Sequence, residues 1–291
     1  MQKIGLWLLL VAGTLGQVSA QVVADLALEQ DQFLPGEALP VAVRISNRSG
    51  QTLRLGAEED WLTFSVESRE GSVVSTLGDV PVAGDFVLAS SKVATKHVDL
   101  APYFTLMQPG RYSIVATIRI KGWDHDITSR GISFNIIDGT RLWERDFGLP
   151  VAAGGETNAL PEVRKYILQQ ANYVKGQLRL YLRVTDSSGL KIYRTVPIGN
   201  VLSFSRPEPR LDRLSNLHLL YQSWAHSFSY SVYNPQGELI TRQTFDYADS
   251  RPRLQPDEEG NVSVVGGVRR FTAKDRPEPA AQPQEVQPQE P

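Results

Sequence analysis

The sequence predicts an all-β protein, and three observations carry that prediction. Apolar and polar residues alternate with period two in short runs. Leu62, Phe64 and Val66 stand against Thr63, Ser65 and Glu67; Tyr112, Ile114, Ala116, Ile118 and Ile120 stand against Ser113, Val115, Thr117, Arg119 and Lys121. Such spacing puts one set of side chains on each face of a half-buried strand. Turn dipeptides punctuate the runs: Pro35-Gly36, Ser49-Gly50, Glu70-Gly71 and Pro109-Gly110. No helical period of 3.6 lies between them. The expectation is a β-sandwich over residues 21–138, a connector over 139–164, and a second β domain of repeated hairpins over 165–272.

Ahead of these lies a leader. Lys3 supplies a positive start, Ile4 to Leu15 form an apolar run, and Val18-Ser19-Ala20 places small or short residues at a cleavage position. The run falls short of the ~20 residues a membrane-spanning helix needs. Residues 1–20 therefore read as a cleavable signal peptide, with the mature chain exported to periplasm, outer surface or medium. No other segment approaches membrane-spanning length. The chain has no cysteine, which excludes a disulfide framework, a thiolate nucleophile and a lipid anchor on cysteine. An exported chain without cysteine fits a bacterial envelope.

Within the first region, Leu39 to Ile45, Val93 to Leu100 and Gly131 to Ile137 add β-branched runs. Phe33-x-Pro35-Gly36-Glu37, followed by a strand ending at Asn47, resembles the opening of bacterial immunoglobulin-like domains. Leu106-x-x-Pro109-Gly110-Arg111-Tyr112-Ser113-Ile114 is similar to their late hairpin. That resemblance implies an immunoglobulin-like sandwich in which Tyr112 sits at a corner and bonds back to the backbone. The same opening also resembles the small proteinase-inhibitor sandwich family of bacilli, which implies a protease inhibitor as an alternative function.

The connector holds Trp143, Phe147 and Leu149, too apolar for a free linker. Beyond it, Pro209-Arg210-Leu211 recurs as Pro252-Arg253-Leu254, each copy followed by a polar turn and a strand start at Asn216-Leu217 or Asn261-Val262. Gln177 to Leu182 reads as a degenerate earlier copy. Phe228 to Tyr233 and Leu239 to Arg242 flank Asn234-Pro235-Gln236-Gly237 as a hairpin. Hairpin repeats of about 40–45 residues resemble propeller blades, and the segment is too short for the roughly four blades of a closed ring. Residues 273–291, rich in Pro, Gln and Glu, cannot bury enough surface to order and read as a disordered tail.

Charge divides unevenly. Residues 21–138 carry 10 Lys and Arg against 15 Asp and Glu, whereas 139–274 carry 18 against 13, fourteen of the eighteen being arginine. The basic second half points to an anionic partner or to docking between the halves. Arg179, Arg183, Arg210, Arg213, Arg251 and Arg253 are its candidate binding residues. His218, Trp224 and Tyr230 form a candidate aromatic strip for a sugar or aromatic ligand.

Catalytic motifs are missing from the sequence: no Gly-x-Ser-x-Gly, no P-loop, no His-Glu-x-x-His. Asp124-His125-Asp126 reads as a hairpin tip and Glu58-Glu59-Asp60 as a solvated turn, neither as a metal site. Asn47-Arg48-Ser49 and Asn261-Val262-Ser263 match the glycosylation acceptor pattern and read as turns. The expectation is an exported, non-enzymatic binding or assembly protein without cofactor or metal, with a protein or glycan partner in the envelope and none in nucleic acid. A protease inhibitor, or a glycan-active hydrolase whose site only the fold assembles, are the alternatives. No signal of oligomeric state appears.

Overall fold

The computed structural model describes residues 21–149, 162–173 and 176–276. The leader, part of the connector and nearly all of the tail lie outside them. Among these residues regular structure is almost entirely strand, with helix confined to short 3-10 turns such as Ala101–Tyr103. No helix among the described residues is long and apolar enough to cross a membrane.

In the first region the strands are β1 (Gln21–Leu28), β2 (Gln32–Phe33), β3 (Pro40–Arg48), β4 (Leu53–Leu55), β5 (Leu62–Ser68), β6 (Phe86–Leu88), β7 (Val93–Asp99), β8 (Gly110–Ile118), β9 (Ile127–Thr128) and β10 (Ile132–Ile136). They form one sheet in the order β1-β3-β7, a second in the order β2-β10-β8-β5 with β9 also on β8, and a small β4-β6 pair. Val41, Val43 and Ile45 of the first sheet share one apolar cluster with Leu62, Val66, Ile114, Ala116, Ile118 and Phe134 of the second. These are the inward residues of the period-two runs. Burying each of these except the small Ala116 contributes about 1.5–3 kcal/mol relative to exposure. The Tyr112 hydroxyl donates to the Gln108 carbonyl at 2.8 Å, the back-bond expected of it. Asn47 is fully buried, its amide donating to the carbonyls of Gln51 (2.7 Å) and Leu88 (2.9 Å), so it ties a corner and offers no glycan acceptor.

The second region adds β11 (Thr140–Gly148), β12 (Val163–Asn172), β13 (Leu178–Asp186), β14 (Ile192–Val201), β15 (Glu208–Leu211), β16 (Leu217–Trp224), β17 (Ser227–Tyr233), β18 (Leu239–Asp246), β19 (Arg253–Pro256), β20 (Val262–Val265) and β21 (Val268–Arg270). Here the stretch read as a connector begins with a strand: β11 is the edge of the four-stranded sheet β11-β12-β13-β14. Phe147 stacks on Tyr166 at 4.0 Å, which is why that stretch is apolar. The sheet β15-β16-β17-β18-β21 lies next, and β19-β20 forms a hairpin. One cluster joins Leu168, Leu180 and Leu182 to Leu217, Leu219 and Tyr233; a second joins Leu220, Phe228 and Tyr230 to Leu254 and Val262. The five-stranded sheet is thus covered on both faces, a stack of small antiparallel sheets.

The repeated tripeptide occupies equivalent places. Pro209-Arg210-Leu211 lies in β15, the first strand of its hairpin; in the second copy Arg253 and Leu254 open β19, with Pro252 just before it. The hairpins β15–β16, β19–β20 and β17–β18 share one kind of turn. The Asp212 carbonyl accepts from Ser215, the Asp257 carbonyl from Gly260 and the Asn234 carbonyl from Gly237, while Ser215, Gly260 and Gly237 all take positive φ. This is a type I turn closed by a left-handed residue. The suggested copy at Gln177 to Leu182 falls out of phase, because Leu178 opens the third strand of its sheet while Leu217 opens the second.

The two regions meet along Gln30 to Glu37. Leu34 packs with Ala171 and Tyr181. Thr195 donates to the Pro35 carbonyl at 2.8 Å, and Arg179 to the Gln30 side chain at 3.0 Å. Glu37, buried beneath, accepts from the Leu34 amide (2.9 Å) and from Gln30 (3.0 Å).

Candidate functional site

The residues singled out from the sequence do not converge on one surface. Arg213 sits in the turn at one end of the five-stranded sheet. Arg251 lies at the other end, 5.2 Å from the Phe228 ring. Arg210 and Arg253 are exposed on the short strands β15 and β19. Arg179 stacks on Tyr173 at 3.2 Å, holding the junction between regions rather than facing a partner. Arg183 is turned inward: its Nε and one Nη are buried without a protein hydrogen bond. Burial pulls its guanidinium below the usual arginine range, an effect Asp138 opposes.

His218 and Tyr230 do meet. The His218 Nδ1 lies 2.7 Å from the Tyr230 hydroxyl and its Nε2 3.2 Å from the Asp212 carboxylate. The chain Asp212–His218–Tyr230 has the order of a proton relay, yet His218 is 8% and Tyr230 7% exposed. It acts as a clamp, fastening a hairpin turn to the middle of the next strand. Trp224, by contrast, is 68% exposed beside its hairpin tip, away from this clamp. The aromatic strip expected of the three therefore splits into a buried pair and a solvated indole.

A surface the sequence did not announce lies in the first region. A cavity of about 600 Å³ runs between the loop 56–60, the start of β5 and the loop 76–84. Leu62, Phe64, Val80, Val82 and Phe104 line its apolar floor, and Glu58, Glu59, Asp60 and Asp79 its rim; among the described residues no Lys or Arg lines it. Several contacts shape it. The Trp61 indole donates to the Val82 carbonyl at 2.8 Å, pinning the second loop over the strand. Gly56 has φ +86°, and a Cβ there would lie 2.2 Å from the Gly84 carbonyl, so only glycine lets the two loops close one end. On the rim, Glu58 pairs with Lys121 at 3.0 Å and Asp60 with Arg119. Glu59 and Asp79 have no ion pair among the described residues. The acidic run read as a solvated turn is solvated, and it also forms one wall of this groove. Its only signal in the sequence was the long gap in alternation between Ser68 and Phe86.

Asp124, His125 and Asp126 stay at their hairpin tip, with Asp126 3.4 Å from Arg119. Among the described residues, no three His, Asp or Glu side chains group to hold a metal ion.

No protein-family model matches the chain, and no curated protein matches it. Among solved structures, the sporulation control protein Spo0M of Bacillus subtilis is similar at 12% identity and a TM-score of 0.30, over 77% of this chain and 90% of that one. A likeness at this level supports no argument about function; the described residues form an all-β protein of small sheets, antiparallel except for the β2–β10 pair.

Proposed function

We propose that the chain is an exported, non-enzymatic binding or assembly protein of the bacterial envelope, holding a protein partner at the groove beside β5. The carrying observation is the groove itself: an apolar floor within a charged rim of one sign, the layout of a recognition surface. Among the described residues no histidine lines it, and the His218–Asp212 pair is buried elsewhere. The leader of residues 1–20 supports export. The Tyr112 back-bond and the core shared by two sheets support an immunoglobulin-like first region. The like hairpin turns support a propeller-like second region.

The test uses the mature chain with a photo-crosslinking residue in place of Thr63 and a tag after Pro291, recovered from the native host's envelope fraction. A stoichiometric protein adduct is the expected result. Turnover of chromogenic glycosides or esters by the purified protein would replace this reading with a hydrolase. Slowing of a serine protease at micromolar concentration would replace it with an inhibitor.

A further inference from the structure

We infer that the groove binds its partner by strand addition: an extended segment with alternating apolar and basic side chains pairs with the free edge of β5. This inference rests on the binding function proposed above.

The edge can be read from the hydrogen-bond pattern. β5 is the last strand of its sheet and pairs only with β8 on one side. Arg119 donates to the Trp61 carbonyl, and Ser129 donates to Ala116 from the other side of β8. In an antiparallel ladder these bonds alternate along each strand. Thr63 and Ser65 therefore bond to β8, while the amides and carbonyls of Leu62 and Phe64 point away from it. No described protein group bonds to those four. Leu62, Thr63 and Phe64 all line the groove; Leu62 is 1% exposed, so the unpaired edge reaches the cavity at Phe64.

The chain already performs the same pairing one step further along. Val74 donates to the Val66 carbonyl at 2.8 Å, and Ser68 to the Ser72 carbonyl at 2.9 Å. At Ser75 the chain then leaves β5 and pairs instead with 103–105, where Leu77 donates to Tyr103 and Thr105 to Ser75. The remaining edge is left unpaired and accessible around Phe64, beside an apolar floor, the arrangement that recruits an added strand.

Period two sets the chemistry of that strand. On the core side, alternate side chains would meet Val80, Val82 and Phe104, and apolar groups fit there. On the other side they would meet the rim carboxylates Glu59 and Asp79, and basic groups fit there. Complementary charge also selects against a second copy of this chain, because pairing two β5 edges would bring two acidic rims together.

The experiment titrates the mature chain with fluorescent octapeptides. One alternates valine and lysine, one alternates valine and glutamate, and two are valine–lysine peptides N-methylated on one edge or the other. The valine–lysine peptide should bind at least tenfold more tightly than the valine–glutamate one. Methylation of the pairing edge should abolish binding, and methylation of the outer edge should not. In the double variant Glu59→Gln, Asp79→Asn, whose side chains are exposed, affinity should fall severalfold with a flatter salt dependence. Equal binding of the two peptide charges, or indifference to N-methylation, overturns strand addition. A dimer that Thr63→Lys dissociates would overturn the commitment to a different partner. A host protein crosslinked at Thr63 with no peptide binding overturns strand addition alone; the absence of both removes the binding function as well.

Discussion

Asp212 illustrates how much one side chain holds together here. One carboxylate oxygen accepts the amides of Leu214 (2.9 Å) and Asn216 (2.8 Å); the other takes the Asn216 side chain and faces His218. Burial raises its pKa, but the hydrogen bonds from Asn216 and His218 outweigh that and hold it below the ordinary carboxylate value. Its folded pKa is thus depressed. The stability it contributes is complete above the unfolded value of about 3.8 and fades as pH falls through the lower folded value. Asp212→Asn should cost about 1–2 kcal/mol at neutral pH and flatten the fall of Tm in acid. Thermal melts across pH 2–7, wild type against variant, measure both; parallel curves would refute the assignment. Arg183 should behave in the opposite way. Its buried nitrogens lack protein partners, so Arg183→Met should be neutral or stabilising by about 1 kcal/mol. A loss above about 2 kcal/mol in urea denaturation would show that a hidden partner had been removed.

At the scale of the element, the hairpin turn is the recurring unit. Gly260 takes φ +80°, and a Cβ there would meet only the Arg213 Cβ at 4.0 Å, an ordinary van der Waals contact, so replacing it tests conformation alone. Gly260→Ala should cost about 1–2 kcal/mol, read as a shift in denaturation midpoint at unchanged slope. A neutral outcome would mean that the turn relaxes without its left-handed residue. The same elements show what was legible in the residues. The strands β3, β5 and β8 were readable because each buries one face, which writes period two into their composition. The strand β11 was not readable. As an edge strand it buries only Phe147, so its sequence lacks alternation and resembles a linker. The hairpin at Asn234 was readable because its turn chemistry is local. The clamp of His218 on Tyr230 was half readable: both residues stood out, but their meeting depends on the pairing of β16 with β17.

Across the whole molecule, the contact between regions turns on Leu34 and Glu37. Leu34 is 1% exposed and packs on Ala171 and Tyr181. Leu34→Ala should destabilise by about 2–4 kcal/mol, and calorimetry should show the melt separating into two transitions. A single cooperative transition at lower temperature would mean that other contacts couple the regions. Glu37 adds a pH dependence of sign opposite to that of Asp212. Burial raises its pKa above the ordinary value, against hydrogen bonds from Leu34 and Gln30. Its contribution is therefore complete below about pH 4.5 and is lost as pH rises through the folded value. In Glu37→Gln that loss should disappear from the pH profile of the melt; persistence would place its origin elsewhere.

Residue order alone determined the all-β class, the inward faces of the main strands and the positions of the tight turns. Each of these follows from side chains two to five positions apart, where geometry is local. Only the tertiary structure decided which strand edge stays bare, which arginines face inward and where the regions touch. Those outcomes depend on residues far apart in the chain. The edge of β5 at Leu62 and Phe64 is unpaired because the segment after Ser75 pairs with 103–105 instead of continuing along it, and no local pattern in β5 records that choice.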